Sequence, residues 1–359
     1  MDKEECLNKA CRKIEEAGKN NADIIVFPET WIPTYPYWRM GWETDAVAFT
    51  EVLPALQDNS LIYDSEDTDI LGAAARNAGS YVVMGCNELD NRVGSRTVYN
   101  SLIYFDKSSE LLGRHRKLIP SFIERIYWGR GDARDIQVFD TDIGRIGGQI
   151  CWENHLINIT TAYIALGEDI HIAVWPGAAS GGTKKGESLT YADKNTITDA
   201  TAATREHAFA GQHFVLSAHN ILPIEEIPDD FPFKKQLEED YSGPTQNGWV
   251  GEGIGGSHIV NPDSSYNVEP VFEKDTIIYS ELKAEHIKLM KSMFDALGHY
   301  QRWDLVNLNI NEKPYEPIET QPEKNSQKVS NKKIKQIAEK YNVEKDKLEK
   351  ILQELTGEN

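Results

Sequence analysis

The sequence predicts an α/β protein in which mixed β-sheets are covered by helices. Short apolar runs that are typical of buried strands alternate with amphipathic helical patterns along most of the chain. Two of the strands flank the turn Asp106-Lys-Ser-Ser, which indicates an antiparallel hairpin. Alternation alone would favour a purely parallel sheet, so the hairpin indicates mixed sheets in helix-covered layers.

Each element follows from a local pattern. Residues 3–19 form a predicted amphipathic helix that ends near Gly18, and residues 23–27 form a short buried strand that Pro28 ends. The aromatic, proline-bearing stretch 31–45 predicts an irregular loop. The remaining predicted elements are a helix at 70–78, strands at 81–86, 101–105, 110–116 and 143–151, a helix at 158–166, a strand at 170–175, a helix at 196–210, strands at 214–218, 257–260 and 276–282, and a helix at 284–296.

The 359 residues are enough for one large domain or two ordinary ones. We predict one domain over residues 1–311, a polar linker at 312–330 and a helical tail at 331–359, which either binds a partner or is a solvated helix. Within the domain, the acidic stretch 224–248 predicts a surface excursion. An exposed loop is the preferred interpretation, and a lid or an oligomer contact are the alternatives.

Composition excludes several classes of protein. A hydrophobic content of 40% with eight Trp supports a packed core. The net charge of −19 argues against nucleic acid or an anionic membrane as a partner. No apolar stretch approaches the ~20 residues that a membrane span needs, and the charged N-terminus lacks a signal-peptide core. These features predict a cytoplasmic protein.

Metal and cofactor motifs are not found in the sequence. The four cysteines are scattered, which fits a reducing compartment, and there is neither a CxxC pair nor an HExxH motif. Gly251–Gly256 has the spacing of a dinucleotide fingerprint, but it runs into a predicted strand instead of a helix, so we interpret it as a glycine turn. We therefore predict no metal and no cofactor.

Four polar residues indicate hydrolysis by a cysteine. Cys151 ends an apolar run beside glycines, Glu29 follows a buried strand, and Lys117 and Glu124 lie seven residues apart. A thiol needs a base to take its proton, a buried carboxylate can serve, and a cation stabilises the developing anion. A structural role is the alternative, since a lone cysteine at a strand end is more often a core residue.

Three motifs resemble those of the carbon–nitrogen hydrolase (nitrilase) superfamily. Residues 27–36 resemble its glutamate motif. Residues 115–125 with 128–132 resemble its lysine motif, and residues 148–154 resemble its cysteine motif, both in the form found in true nitrilases. Residues 170–177 and 298–304 are similar as well, so the resemblance covers roughly residues 5–310.

The resemblance implies an α-β-β-α sandwich that pairs into a four-layer dimer, which is often extended into spirals. It implies Cys151 as nucleophile, Glu29 as general base, Lys117 as acid and oxyanion partner, and Glu124 as a supporting carboxylate. The backbone N–H of Trp152 would complete the oxyanion site. Candidate substrate contacts are Trp152, Tyr35 and Trp175.

The leading hypothesis is a nitrilase that converts an organic nitrile to an acid and ammonia through a thioimidate and a thioester on Cys151. The alternatives are an amidase or carbamoyl hydrolase, a cyanide-hydrating enzyme, and a non-catalytic assembly protein. The chain departs from the family pattern in two places. It starts at the first helix, so we expect the usual preceding strand to be missing, and Ile157 follows Cys-Trp-Glu-Asn-His-Leu where Pro is common.

Overall fold

A computed structural model describes residues 1–38, 46–177, 199–241, 255–272 and 274–313. The chain divides into a unit at Met1–Pro314 and a second at Tyr315–Asn359, and the described residues belong to the first. The predicted tail and nearly all of the predicted linker therefore lie outside the described residues, and the domain boundaries stay a prediction. The elements are α1 (Lys3–Lys19), β1 (Ile24–Val26), α2 (Leu53–Asp58), β2 (Leu61–Ile62), α3 (Glu66–Ala78), β3 (Tyr81–Leu89), β4 (Val98–Phe105), β5 (Leu111–Arg116), β6 (Phe139–Thr141), β7 (Gly144–Ile150), α4 (Ile157–Leu166), β8 (Ile170–Trp175), α5 (Asp199–Gly211), β9 (Phe214–His219), α6 (Lys234–Tyr241), β10 (Gly255–Val260), β11 (Tyr266–Phe272) and α7 (Ala284–Met293).

The strands form two mixed sheets. In the first, the order is β1-β3-β4-β5 and β2 also pairs with β3. The β1–β3 pairing is parallel, whereas β3, β4 and β5 pair antiparallel, as the predicted hairpin requires. In the second sheet, the order is β11-β10-β9-β8-β7-β6, with β7, β8 and β9 parallel and the outer strands antiparallel.

The two sheets pack face to face between layers of helices. Their inner faces share one core, in which Tyr104 of β4 lies among residues such as Ile150 of β7 and Ile172 of β8. On the outer face of the first sheet, α1 and α3 pack through residues that include Ile14 and Leu71. On the outer face of the second, α5 packs through Ala208 in a cluster with strand residues Ala173, Val215 and Val260. The predicted α-β-β-α sandwich is confirmed.

The prediction of a strand at 276–282 is wrong. The last strand of the second sheet is β11, which begins after the turn at Asn261–Ser264 and pairs antiparallel with β10. Residues 274–283 form no strand, although Ile277 and Leu282 pack against the two main cores. Their apolar character therefore reflects side-chain burial, and the sequence pattern does not show whether a backbone partner is adjacent.

Residues 224–241 are more than the exposed loop that we preferred. They contain a single 3₁₀ turn at Ile224–Glu226 and the helix α6. Leu237 of α6 is buried against Tyr35 and Tyr37, and Phe233 is buried with Trp38. This segment is acidic, but its two buried apolar residues, Phe233 and Leu237, pack it against the aromatic residues that follow Glu29. Residues 242–248 lie outside the described residues.

No described helix is long and apolar enough to cross a membrane.

Candidate active site

Cys151 lies at the point where β7 ends. It begins a single 3₁₀ turn, Cys151–His155, and its φ of +56° is in the left-handed region. For a residue with a Cβ this conformation costs about 1–2 kcal/mol, so surrounding contacts must hold it. One such contact is the side-chain amide of Asn154, which donates to the Cys151 carbonyl at 2.9 Å. The residue is buried, with 5% of its surface exposed.

Glu29 is placed by a close approach of two backbones. The Pro28 carbonyl oxygen lies so near Gly85 of β3 that a Cβ at Gly85 would be 1.8 Å from it, so only glycine fits there. The Glu29 side chain is fully buried. Asn100 of β4 donates to its Oε1 at 2.6 Å, and Asn220 donates to its backbone carbonyl at 2.6 Å.

Lys117 follows β5 and is fully buried. Its Nζ donates to Glu29 Oε1 at 2.9 Å and to Glu124 Oε2 at 2.8 Å. Glu124, in turn, accepts the backbone N–H of Ser121 at 2.6 Å and the hydroxyl of Tyr35 at 2.7 Å. The ammonium is therefore fixed between two carboxylates, and each carboxylate is held by neutral donors of its own.

The nucleophile candidate lies beside this pair of carboxylates. One carboxylate oxygen of Glu29, one of Glu124 and the Sγ of Cys151 all lie within 4.8 Å of one another. Of the two Glu29 oxygens, Oε1 accepts from Lys117 and Asn100, whereas Oε2 has no hydrogen-bond partner among the described residues. The structure thus brings together the four residues that the sequence singled out, and it leaves one carboxylate oxygen available to a proton.

Burial and charge set the proton affinities of this group. Burial raises the pKa of Glu29 to about 7, because the attraction of Lys117 only partly offsets burial and the repulsion of Glu124. Burial also raises the pKa of the Cys151 thiol well above its ordinary value, against the pull of Lys117. For Lys117, burial works against the charge, but Glu124 and Glu29 outweigh it and raise its pKa well above the ordinary value. At neutral pH the resting group therefore contains a neutral thiol, an ammonium and a Glu29 carboxyl that is close to half ionised.

Sequence reasoning missed a third carboxylate, Glu153, that holds the site together. Glu153 accepts the backbone N–H of Leu118 at 2.6 Å and that of Ile150 at 2.9 Å. It also meets the Nε2 of His115 at 2.8 Å. Because Leu118 follows the lysine and Ile150 precedes the cysteine, Glu153 joins the two sheets at the site. Burial opposes the charge on His115, but Glu153 outweighs it and raises the pKa of His115.

Asn100 and Asn220 were also missed. Asn100 interrupts the apolar strand β4, and a polar side chain in a fully buried strand needs a partner. That interruption was the one available signal for Asn100. The partner, Glu29, lies 71 residues away, so its identity depends on how the strands are arranged.

The three predicted substrate contacts differ in their surroundings. Tyr35 is buried and its hydroxyl donates to Glu124. Trp152 is half-buried, donates its indole N–H to Asp199 at 2.8 Å, and meets the ring of Phe122 edge-on at 5.1 Å. Trp175 is fully buried in the core that the two sheets share. Their roles toward a substrate stay predictions.

Two groups among the described residues have the composition of a metal site. One is Glu29, Glu124 and Cys151, and the other is Glu168, His171 and His207. In the first, the Lys117 ammonium already lies between the two carboxylates, so a metal ion there would face a positive charge at close range.

Comparisons with known proteins identify the family. The family model described as carbon-nitrogen hydrolase matches residues 1–292. The chain is 32% identical over 354 residues to an aliphatic nitrilase of Rhodococcus rhodochrous, covering 95% of this chain and 86% of that protein. It is 33% identical over 315 residues to a cyanide hydratase of Stereum hirsutum, covering 86% and 80%. The crystal structure of a carbon-nitrogen hydrolase from Helicobacter pylori G27 shares the fold with a TM-score of 0.61 at 18% identity, covering 85% of this chain and 92% of that one. The chain therefore belongs to the carbon–nitrogen hydrolase family and is an enzyme of the nitrilase superfamily.

Proposed function

We propose that this enzyme hydrolyses an organic nitrile to the carboxylic acid and ammonia, with Cys151 as nucleophile. The observation that carries the proposal is the buried Lys117 ammonium between Glu29 and Glu124, with the Cys151 sulfur within 4.8 Å of both carboxylates. This arrangement supplies a base, a cation and a nucleophile. A purely structural group would not need a buried carboxylate whose pKa is raised to about 7.

The first half of the reaction forms a thioimidate. Glu29 takes the Sγ proton as the sulfur attacks the nitrile carbon, so an unstable free thiolate is not required beforehand. The nitrile nitrogen gains negative charge as the C–S bond forms. The Lys117 ammonium and the backbone N–H of Trp152, which lies in the first turn after β7, stabilise this charge. Lys117 gives a proton to the nitrogen and regains one from Glu29, to which it is hydrogen-bonded, so Glu29 is again a carboxylate before the second half begins.

The second half releases the product. Glu29 removes a proton from a water molecule, which adds to the thioimidate carbon and gives a tetrahedral intermediate that carries both nitrogen and oxygen. Departure of ammonia leaves a thioester, and a second water molecule hydrolyses it to the acid and the free thiol. If the thiol departs first, an amide is released instead. A barrier difference of about 1.4 kcal/mol between the two departures changes the product ratio tenfold.

Cyanide hydration is the second candidate. It is favoured by the relative named cyanide hydratase, which is as similar in sequence as the relative named aliphatic nitrilase. It uses the same first half, and the intermediate from hydrogen cyanide would lose the thiol to give formamide. An amidase would begin from the amide and enter at the tetrahedral intermediate.

We also propose self-association through the outer helices. Helix α4 is mostly apolar, and residues at its two ends are exposed: Ile157 is 78% exposed and Leu166 is 43% exposed. Exposed apolar side chains on one surface mark a contact site, and a second copy of the chain would cover them. Light scattering after size exclusion tests this, with Ile157→Glu as the variant expected to shift the population toward the monomer. A wild-type monomer at micromolar concentration would contradict the proposal.

Ammonia release tests the main proposal. The purified protein is offered an aromatic nitrile, an arylaliphatic nitrile, a dinitrile, cyanide and the corresponding amides. Cys151→Ala should abolish release, whereas Cys86→Ala, which removes another buried thiol away from the site, should retain it. Release from amides alone would indicate an amidase. Release from nitriles that survives in Cys151→Ala would refute the mechanism, and no release from any compound would favour the non-catalytic alternative.

A further inference from the structure

A second buried cluster of ionisable residues lies behind the nucleophile turn. Glu168, His171, His207 and His213 are each at most 1% exposed. Their hydrogen-bond and ion-pair partners among the described residues do not include the four catalytic candidates. Glu168 is the centre of the cluster: Oε2 meets His171 Nδ1 at 2.9 Å, and Oε1 meets His207 Nε2 at 2.8 Å. A buried carboxylate surrounded by histidines is costly unless protons and charges are matched, so the cluster needs an explanation.

The cluster reaches Cys151 through one residue. His171 Nε2 lies 3.0 Å from the Oδ1 of Asn154, and the Nδ2 of Asn154 donates to the Cys151 carbonyl at 2.9 Å. Hydrogen bonds thus run without a break from Glu168 through His171 and Asn154 to the backbone of the nucleophile. This series of hydrogen bonds ends at Cys151, whose φ is positive at +56°.

The direction of these hydrogen bonds fixes the number of protons. Asn154 must present its NH₂ to the Cys151 carbonyl, so its oxygen faces His171, and His171 must donate through Nε2. A neutral His171 would then turn a lone pair on Nδ1 toward a Glu168 oxygen at 2.9 Å, which is repulsive. One further proton between Nδ1 and Oε2 removes the repulsion.

The shared proton also lowers the cost of burying the ionised forms of Glu168 and His171. Burial draws the pKa of His171 down to about 4, with Glu168 working against this, and so opposes an isolated imidazolium. Burial would equally raise the pKa of Glu168, but the histidines, His171 first, hold it well below its ordinary value. Glu168 and His171 with one proton between them carry no net charge as a unit, so the interior accommodates the pair at a much smaller cost than either ion alone.

We propose that Glu168 and His171 are positioning residues for the nucleophile: with one proton shared between them, they orient Asn154 so that its amide holds the Cys151 carbonyl and keeps the sulfur beside Glu29. This inference rests on the proposed role of Cys151. The positioning role explains why a buried ionisable cluster is present although none of its residues takes part in the proposed chemical steps. The strained backbone of Cys151 would relax without the hydrogen bond, and a displacement of about 1 Å at a nucleophile can cost on the order of 100-fold in rate.

A metal ion at this cluster is the competing explanation, and the ring geometry disfavours it. The His171 and His207 rings lie with their centroids 3.7 Å apart and their planes tilted by 35°. Two imidazoles that bind one tetrahedral zinc ion at about 2.1 Å place their centroids about 5 Å apart, because each nitrogen lone pair lies in its ring plane. The rings would have to separate by more than 1 Å to admit the ion.

The test compares four variants. Glu168→Ala removes the partner of His171. Glu168→Gln keeps the shape, because an amide N–H can donate to the Nδ1 of a neutral His171 while the amide oxygen accepts from His207. Asn154→Asp keeps the acceptor for His171 but replaces the donor to the Cys151 carbonyl by an oxygen. His258→Gln is the control, since His258 is equally buried and hydrogen-bonded to Thr204 without a link to the nucleophile.

Two readouts separate this inference from the proposed function. The first is kcat and KM for ammonia release. The second is the rate of Cys151 alkylation by iodoacetamide, followed by peptide mass spectrometry, which needs no substrate. We expect Glu168→Ala and Asn154→Asp to lower kcat and the alkylation rate by about 10- to 100-fold with KM within about twofold, and Glu168→Gln to stay within about threefold of wild type. If the wild type hydrolyses nothing, the proposed function fails, while the alkylation rates still decide the positioning role.

Several results would overturn the inference. Alkylation rates of Glu168→Ala and Asn154→Asp equal to that of His258→Gln would show that the cluster only fills the core. Equal damage in Glu168→Gln and Glu168→Ala, with circular dichroism unchanged, would show that the negative charge matters and the shared proton does not. If Glu168→Ala fails to fold, the two nearly isosteric variants, Glu168→Gln and Asn154→Asp, still decide. One equivalent of tightly bound zinc in the purified protein, lost in Glu168→Gln, would replace the inference by the metal explanation.

Discussion

Replacing Glu124 by Gln should move the acid limb of the pH–rate profile to lower pH. In the wild type, kcat/KM should rise with pH as Glu29 becomes the free base, with an apparent pKa of about 7. Glu124 is one cause of that high pKa, because its negative charge opposes ionisation of Glu29. The substitution removes the charge and keeps the shape, since the amide can still accept from Lys117 and hydrogen-bond with Tyr35.

The size of the shift follows from the separation of the two carboxylates. Their nearer oxygens are no more than 4.8 Å apart. At an effective dielectric constant of about 20, two unit charges at this distance repel by about 3.5 kcal/mol, which corresponds to about 2.5 pKa units. The Lys117 ammonium lies between the carboxylates and screens part of the repulsion. We therefore expect the pKa of Glu29, and with it the acid limb, to fall by about one to two units.

The assay is residual kcat/KM for ammonia release over the acidic and neutral range, since this parameter reports ionisations of the free enzyme. The rate itself is expected to fall, because Lys117 is held less firmly. Glu110→Gln, an exposed glutamate in the β4–β5 turn, is the control and should leave the profile unchanged. An acid limb that stays in place in Glu124→Gln, or that moves to higher pH, would refute the assignment of Glu29 as the base.

Three further predictions concern single contacts. Tyr35→Phe removes a hydroxyl donated to Glu124 and should lower kcat about tenfold, since a hydrogen bond to a charged group is worth about 1.5 kcal/mol; an unchanged kcat would contradict this. Glu153 raises the pKa of His115 above that of the unfolded chain, so the stabilisation is complete below about pH 6.5 and is lost as pH rises through the folded value. Urea unfolding should therefore show His115→Gln costing more at acidic than at alkaline pH, and a cost independent of pH would argue against the pair. Leu237→Ala should lose about 2–5 kcal/mol of unfolding free energy, whereas Leu289→Ala, 58% exposed, should lose less than about 0.5 kcal/mol. Equal losses in the two leucine variants would show that α6 does not contribute to the core.

The sequence by itself determined the fold class and the chemical components of the site. Buried strands and amphipathic helices leave periodic patterns, so β8 was predicted with its observed bounds of Ile170–Trp175 and α1 with its observed bounds of Lys3–Lys19. Motifs are local as well, and Glu29, Lys117, Glu124 and Cys151 were identified from the segments in which they lie. Local patterns carried this information because each depends on residues within a few positions of one another.

Tertiary structure decided which of these segments meet. The sequence predicts a strand at residues 276–282, but a strand also needs a neighbouring backbone, and β11 forms the edge instead. Asn100, Glu153 and Glu168 became functional candidates only when their partners were visible, since each has a hydrogen-bond partner tens of positions away in the sequence. The raised pKa of Glu29 likewise comes from burial between two sheets and from Glu124, 95 positions along the chain. Periodicity reports which face of an element is buried, but the proton affinity of a carboxylate depends on the charges and the solvent exclusion that the assembled fold places around it.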